Sequence, residues 1–117
     1  MLPMSGLTVR WSLAASPADT ADRLAAYVAG TSHERFEGKP GLRFKTWRMR
    51  PAEWFEGCYV FEDDASRAAF QQEFELIAAE APGSMIVGAA PILIEACVIP
   101  AIARGGADFV SAASYDA

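Results

Sequence analysis

Lys45, Trp47 and Tyr59 are the residues whose types and spacing suggest chemistry. Arg43, Lys45, Trp47 and Met49 recur at every second position of one run, so an extended strand puts them on one face. Tyr59 and Phe61 repeat that spacing in the run Gly57 to Glu62. Together they would line a pocket for a flat, hydrophobic molecule. The rings would hold it, and the tips of Tyr59 and the indoles would supply the few directional polar contacts. Lys45 or Arg43 would stabilise an enolate, phenolate or carboxylate, and Tyr59 or His33 would move a proton. Trp11 from an earlier strand, and Phe70 and Phe74 from a later helix, add further rings. Plainer explanations stand beside these. Aromatics in a small sheet form cores, and the cationic run Arg35, Lys39, Arg43, Lys45, Arg48 and Arg50 would either match an acidic surface at Glu62, Asp63, Asp64, Glu73, Glu75 and Glu80, within or between subunits, or form a cationic wall for an enolate, phenolate or carboxylate.

His33 is the only histidine, which excludes a multi-histidine metal site. On an uninterrupted first helix it falls beside Asp19, Asp22 and Ala26 and opposite Leu24, at the surface. A bend at Gly30 would instead turn it toward a pocket. Cys58 and Cys97 lack CxxC spacing and lie in apolar strand-like runs, so they are expected to be structural thiols. No GxGxxG, phosphate-binding loop or zinc spacing occurs, and no metal is expected.

The chain has 117 residues, 52% hydrophobic and 21% charged, which suits one globular domain. Its net charge of −5 argues against nucleic-acid binding. No run approaches the roughly 20 apolar residues of a membrane span, and the start, Met1 to Gly6, lacks signal-peptide features. A cytoplasmic location is expected.

Alternation predicts a strand over Leu7–Leu13. Ser16 reads as an N-cap and Pro17 as the first position of a helix whose stripe is Ala21, Leu24, Ala25 and Val28, weakened at Gly30. The runs beginning at Gly41 and Gly57 read as the next two strands, joined by a loop in which Trp54 and Phe55 form a lid or a subunit contact. Asp63 caps a second helix over Asp64–Ala81, with Phe70, Phe74, Ile77 and Ala81 as its stripe and Pro82-Gly83 as its end. Met85–Val87 reads as a short strand or a lead-in. Ile92–Ile99 is the last strand, apolar on both faces except for Glu95 and so expected to be covered on both sides. Residues 1–100 form the domain, and 101–117 read as an irregular or partly mobile tail.

The order β-α-β-β-α-β predicts a ferredoxin-like α+β fold: a four-stranded antiparallel sheet with two helices on one face. No third layer remains for the other face, so a second copy is expected to cover it, giving a homodimer. With the usual strand order, Cys58 and Cys97 stand about 9.6 Å apart, beyond disulfide reach.

The pattern Gly41-Leu42-x-x-Lys45-x-Trp47, then Gly57-x-Tyr59-x-Phe61-x-Asp63, then Ser66 and Phe70, resembles the YdhR-like monooxygenase family of the dimeric α/β-barrel superfamily. The motif match covers residues 41–70, and the element order agrees from about 7 to 100. The resemblance implies a homodimer of ferredoxin-like subunits. It also implies kinship with cofactor-independent oxygenases that act on phenolic or polyketide-like rings, so no cofactor is expected. Three functions follow: a cofactor-free monooxygenase, or related cyclase or isomerase; a non-catalytic homodimer that holds a hydrophobic small molecule; and a purely structural dimer.

Overall fold

The structure, a computed structural model, describes residues 4–114. Four strands, β1 (Met4–Ser12), β2 (Leu42–Arg50), β3 (Trp54–Phe61) and β4 (Leu93–Ile99), form one antiparallel sheet in the order β2-β3-β1-β4. The fold is ferredoxin-like α+β, as the element order predicts. Register sets Leu7 opposite Tyr59, Val9 opposite Gly57 and Trp11 opposite Phe55, which puts their side chains on one face. That face is the core, and Leu7, Val9, Trp11, Phe55, Tyr59 and Phe61 are all buried in it. Both cysteines are free.

The helical layer differs from expectation in ways that matter for the site. The first helix, α1 (Thr20–Tyr27), starts after Asp19, not at Pro17. Ser16 instead closes a turn, its hydroxyl donating to the Leu13 carbonyl. A π-helical segment, Val28–Ser32, then surrounds Gly30 and leads into α2 (His33–Phe36). A π segment inserts residues into the turn and so rotates everything after it about the axis. The second long helix, α3 (Asp64–Ile77), is capped as predicted, with the Asp63 carboxylate accepting from the Ser66 amide at 2.8 Å. Pro82 does not end a helix. It opens a new one, α4 (Pro82–Val87), which replaces the strand or lead-in read at Met85–Val87. Proline at a first helical position lacks only an N–H that would have had no partner.

Two further expectations change. Trp54 and Phe55 belong to β3, and Phe55 is core rather than lid, because the connection narrows to Pro51-Ala52-Glu53. β4 is an edge strand whose middle residues are exposed, so its apolar run is not covered on both sides within this chain. Residues 100–110 carry no helix or strand.

Candidate functional site

β2 enters the sheet through a bulge. Leu42 pairs with Phe61 and Phe44 with Val60, leaving Arg43 as the extra residue. Arg43 therefore drops out of the alternation and points to solvent, away from the face it was predicted to share with Lys45. From Phe44 onward the alternation is regular. Lys45 lies opposite Tyr59, Trp47 opposite Gly57 and Met49 opposite Phe55, all turned toward the helices. Gly41, at φ 83°, immediately precedes the strand, and a Cβ there would meet the Ser66 side chain at 2.7 Å. The start of β2 thus packs directly on the first turn of α3.

Between this face and the helices lies a cavity of about 140 Å³. The sheet contributes Trp11, Lys45, Trp47, Phe55, Gly57 and Tyr59 to its wall. The first helical stretch gives Tyr27, Ser32, Arg35 and Phe36, and α3 gives Phe70, Glu73, Phe74 and Ile77. Rings make most of the wall: Tyr59 lies 4.9 Å from Phe70 and 5.6 Å from Phe36, centroid to centroid, and Trp11 meets Phe74 edge-on at 6.3 Å. The Trp11 indole is anchored by a 2.9 Å hydrogen bond to the Ser84 hydroxyl. The Trp47 indole donates to Ser32 at 3.2 Å. Both tryptophans are thus oriented by helix hydroxyls and offer their faces, not their N–H groups, to the interior.

Lys45 is the chemical centre. Its Nζ lies 3.7 Å from the Phe36 ring centroid and 4.4 Å from those of Trp47 and Tyr59. Among the described residues it has no carboxylate or hydrogen-bond partner. Burial, reinforced by the nearby Arg35 charge, holds its pKa well below the ordinary lysine value. Three ring faces attract the ammonium form, yet they do not replace its lost hydration. Gly57 makes the arrangement possible. A Cβ there would sit 3.1 Å from Lys45 Cε and 3.2 Å from the Tyr59 hydroxyl, so the missing side chain is what lets the amine's stem and the phenol adjoin. Burial also holds the Tyr59 phenol protonated far into alkali, which makes it a donor and not a base.

Of the residues picked out by sequence, the structure gathers Trp11, Lys45, Trp47, Tyr59, Phe70 and Phe74 around one space. Phe61 lies behind, stacked on Tyr59 at 6.0 Å and facing a neighbouring cleft. Arg43 is outside. His33 is not where an uninterrupted helix would put it. The π segment turns it inward until its ring lies 5.9 Å from Trp47, with the side chain only 19% exposed. It nevertheless stands outside the cavity wall, held by the Ser111 hydroxyl at 3.1 Å and by Glu37 at 3.5 Å. Phe36 went unrecognised as a site residue, and Arg35 was singled out only as part of the cationic run, because their placement depends on the π segment, for which Gly30 was the only sequence signal.

The opposite face of the same strands holds another buried charge. Glu56 is 1% exposed, and it accepts from Arg10 at 2.9 Å and from Arg48. Burial alone would raise its pKa, but the two arginines' hydrogen bonds and charges bring it below the ordinary carboxylate value. Cys58, two residues on, is pushed up by burial and by Glu56, which leaves it an inert thiol. Among the described residues, no three His, Cys, Asp or Glu side chains converge as a metal site would require.

No family model matches the chain, and no curated protein matches it. Among solved structures, a protein of unknown function from Nitrosomonas europaea superposes with a TM-score of 0.65 at 19% identity, over 91% of this chain and 98% of that one. A protein from Chloroflexus aurantiacus, classed by name alone with the antibiotic biosynthesis monooxygenases, superposes with a TM-score of 0.49 at 19% identity, over 87% and 97%. At that identity the first likeness establishes the fold. No described helix is long and apolar enough to cross a membrane.

Proposed function

We propose that the protein is a cofactor-independent monooxygenase for a small aromatic or polyketide-like acid, and that it works as a homodimer joined through the open sheet face. The observation that carries this is the Lys45 amine, without an ion-pair or hydrogen-bond partner among the described residues, inside a ring-lined cavity. A cofactor-free oxygenase must first make a substrate anion, and an amine that desolvation shifts toward its neutral form is a base suited to do so. Once protonated by the substrate, Lys45 becomes the anion's counter-ion within a low-dielectric space. Arg35 supports the anion at the wall, a part that the sequence reading gave to Lys45 or Arg43. Tyr59 donates a hydrogen bond to the same oxygen. In the overall change, with a hydroquinone, one ring C–H becomes C–OH, the ring is oxidised to the quinone, and the second atom of dioxygen leaves as water, so the substrate supplies all the electrons.

The cavity volume narrows the substrate. A dry cavity of about 150 Å³ accommodates a benzene-sized guest, so one ring fits as the space stands and a fused tricycle requires α3 to move outward. The motif residues quoted for the family resemblance support the reading, since Gly41, Lys45, Trp47, Gly57, Tyr59, Asp63, Ser66 and Phe70 all build or brace this one site. The test is oxygen uptake with a monocyclic hydroquinone. Wild type is expected to consume oxygen in proportion to substrate, and Lys45→Met to lose that activity while retaining its oligomeric state. Tight binding with no uptake would instead favour the non-catalytic ligand-binding dimer, the reading that the ring-lined wall alone supports.

A further inference from the structure

The mechanism above uses Lys45 as a base, but its surroundings equip it for a second kind of chemistry. From its position in the cavity we infer that Lys45 is a carbonyl-capturing nucleophile, condensing with a small apolar aldehyde or ketone of about one ring in size to form an imine. Four features of the geometry carry this. The amine faces a cavity of about 140 Å³, so a guest can reach it. No carboxylate engages it among the described residues, so its lone pair is not tied up in an ion pair. The Tyr59 hydroxyl, which also lacks a hydrogen-bond partner among the described residues, adjoins the lysine stem across Gly57. The Phe36, Trp47 and Tyr59 rings then surround the nitrogen.

Desolvation favours the unprotonated amine, the form that attacks carbonyls. The nitrogen lone pair forms the C–N bond while the carbonyl π pair moves onto oxygen. The two amine protons pass to that oxygen, to which Tyr59 donates a hydrogen bond, and it departs as water. The imine is left with no oxidant or reductant consumed. On protonation it becomes an iminium, a softer and less hydrated cation than an ammonium, and three ring faces stabilise such a cation well. The cavity is shared with the oxygenase reading, but this step needs no dioxygen.

The sequence makes the test clean, because Lys39 and Lys45 are its only lysines. Lys39 is half-buried near the Phe70 ring and serves as an internal control. The full-length protein is incubated with benzaldehyde at neutral pH without oxygen, reduced with borohydride, and mapped by peptide mass spectrometry. The benzyl adduct is expected at Lys45 at least tenfold above Lys39, and glyoxylate, small but charged, is expected to lose that preference. Phenol, as a competing ring, should suppress the Lys45 adduct. Tyr27, Arg35, Tyr59 and Glu73 face the same space, so labelling is followed from pH 6 to 9, with Lys45 expected to react at a lower pH than Lys39. Lys45→Arg, which keeps a cation in the cage, should abolish the adduct, with folding checked by circular dichroism. Adduct confined to Lys39 or the N-terminus, or equal at both lysines, overturns the inference. Trapping without oxygen uptake defeats only the oxygenase reading, and uptake without trapping defeats only this one.

Discussion

The two faces of the sheet bury charge in opposite ways. On the helix-covered face, Lys45 on β2 lies across from Tyr59 and is surrounded by rings, with no ion-pair partner among the described residues. On the open face, Glu56 on β3 lies directly across from Arg10 on β1 and from Arg48 on β2, and both bond to it. The first arrangement drives its group toward the neutral form, and the second holds its group ionised. A neutral amine is reactive, whereas a doubly paired carboxylate is structural, bracing three strands at once. The contrast separates the chemistry of this protein from its scaffolding. It also gives the open face a polar centre, so a second copy seated there would pack around an ion cluster, with Phe44 at its border.

Breaking the paired side should have the largest effect on stability. Glu56→Ala leaves two arginines facing each other, and since both are partly solvated the expected loss is about 2–3 kcal/mol, at the low end for a broken buried pair. Urea unfolding reads it, and benzaldehyde labelling of Lys45 should persist. Breaking the unpaired side should do the reverse. Lys45→Met is expected to lower oxygen uptake by roughly 100-fold, the usual share of a general base, while its denaturation midpoint holds or rises. A large stability loss in Lys45→Met would show the amine to be a structural cation and end the contrast.

Gly57→Ala tests how closely the stem of Lys45 and the phenol adjoin. The added methyl meets both near 3.1–3.2 Å, so an overpacking penalty of about 1–2 kcal/mol is expected, together with weakened ligand binding by calorimetry. The pH dependence of stability separates the two charges with the smallest signals. Glu56 has a folded pKa below its ordinary 4.5, so its contribution is present above that value and is lost as the pH falls through the folded pKa. Lys45 has a folded pKa below 10.5, so the unfolded chain binds the extra proton and stability climbs with pH between the two values. Tyr59, raised by burial, opposes that climb once the pH passes 10. Glu56→Gln should therefore flatten only the acid limb, and Lys45→Met only the rise below pH 10, as followed by thermal melts across the range.

Sequence alone determined much of this molecule. Period-two alternation in β1, β2 and β3, the Asp63 cap and the element order lead directly to the fold, because each is a local signal with a local cause. The same alternation placed Lys45, Trp47 and Tyr59 on one face and Arg48 on the other. It failed at Arg43, where a one-residue bulge breaks the period, and at Pro82, a residue that both ends and begins helices. Tertiary structure alone decided the rest. The π segment at Gly30 rotated His33 and Phe36 inward, and the strand order brought Arg10 and Arg48 onto opposite sides of Glu56. Most of all, packing left the amine of Lys45 without an ion pair among the described residues. Whether a lysine is a solvated cation or a reactive base depends on what surrounds it in space, and most of those neighbours lie many residues away along the chain.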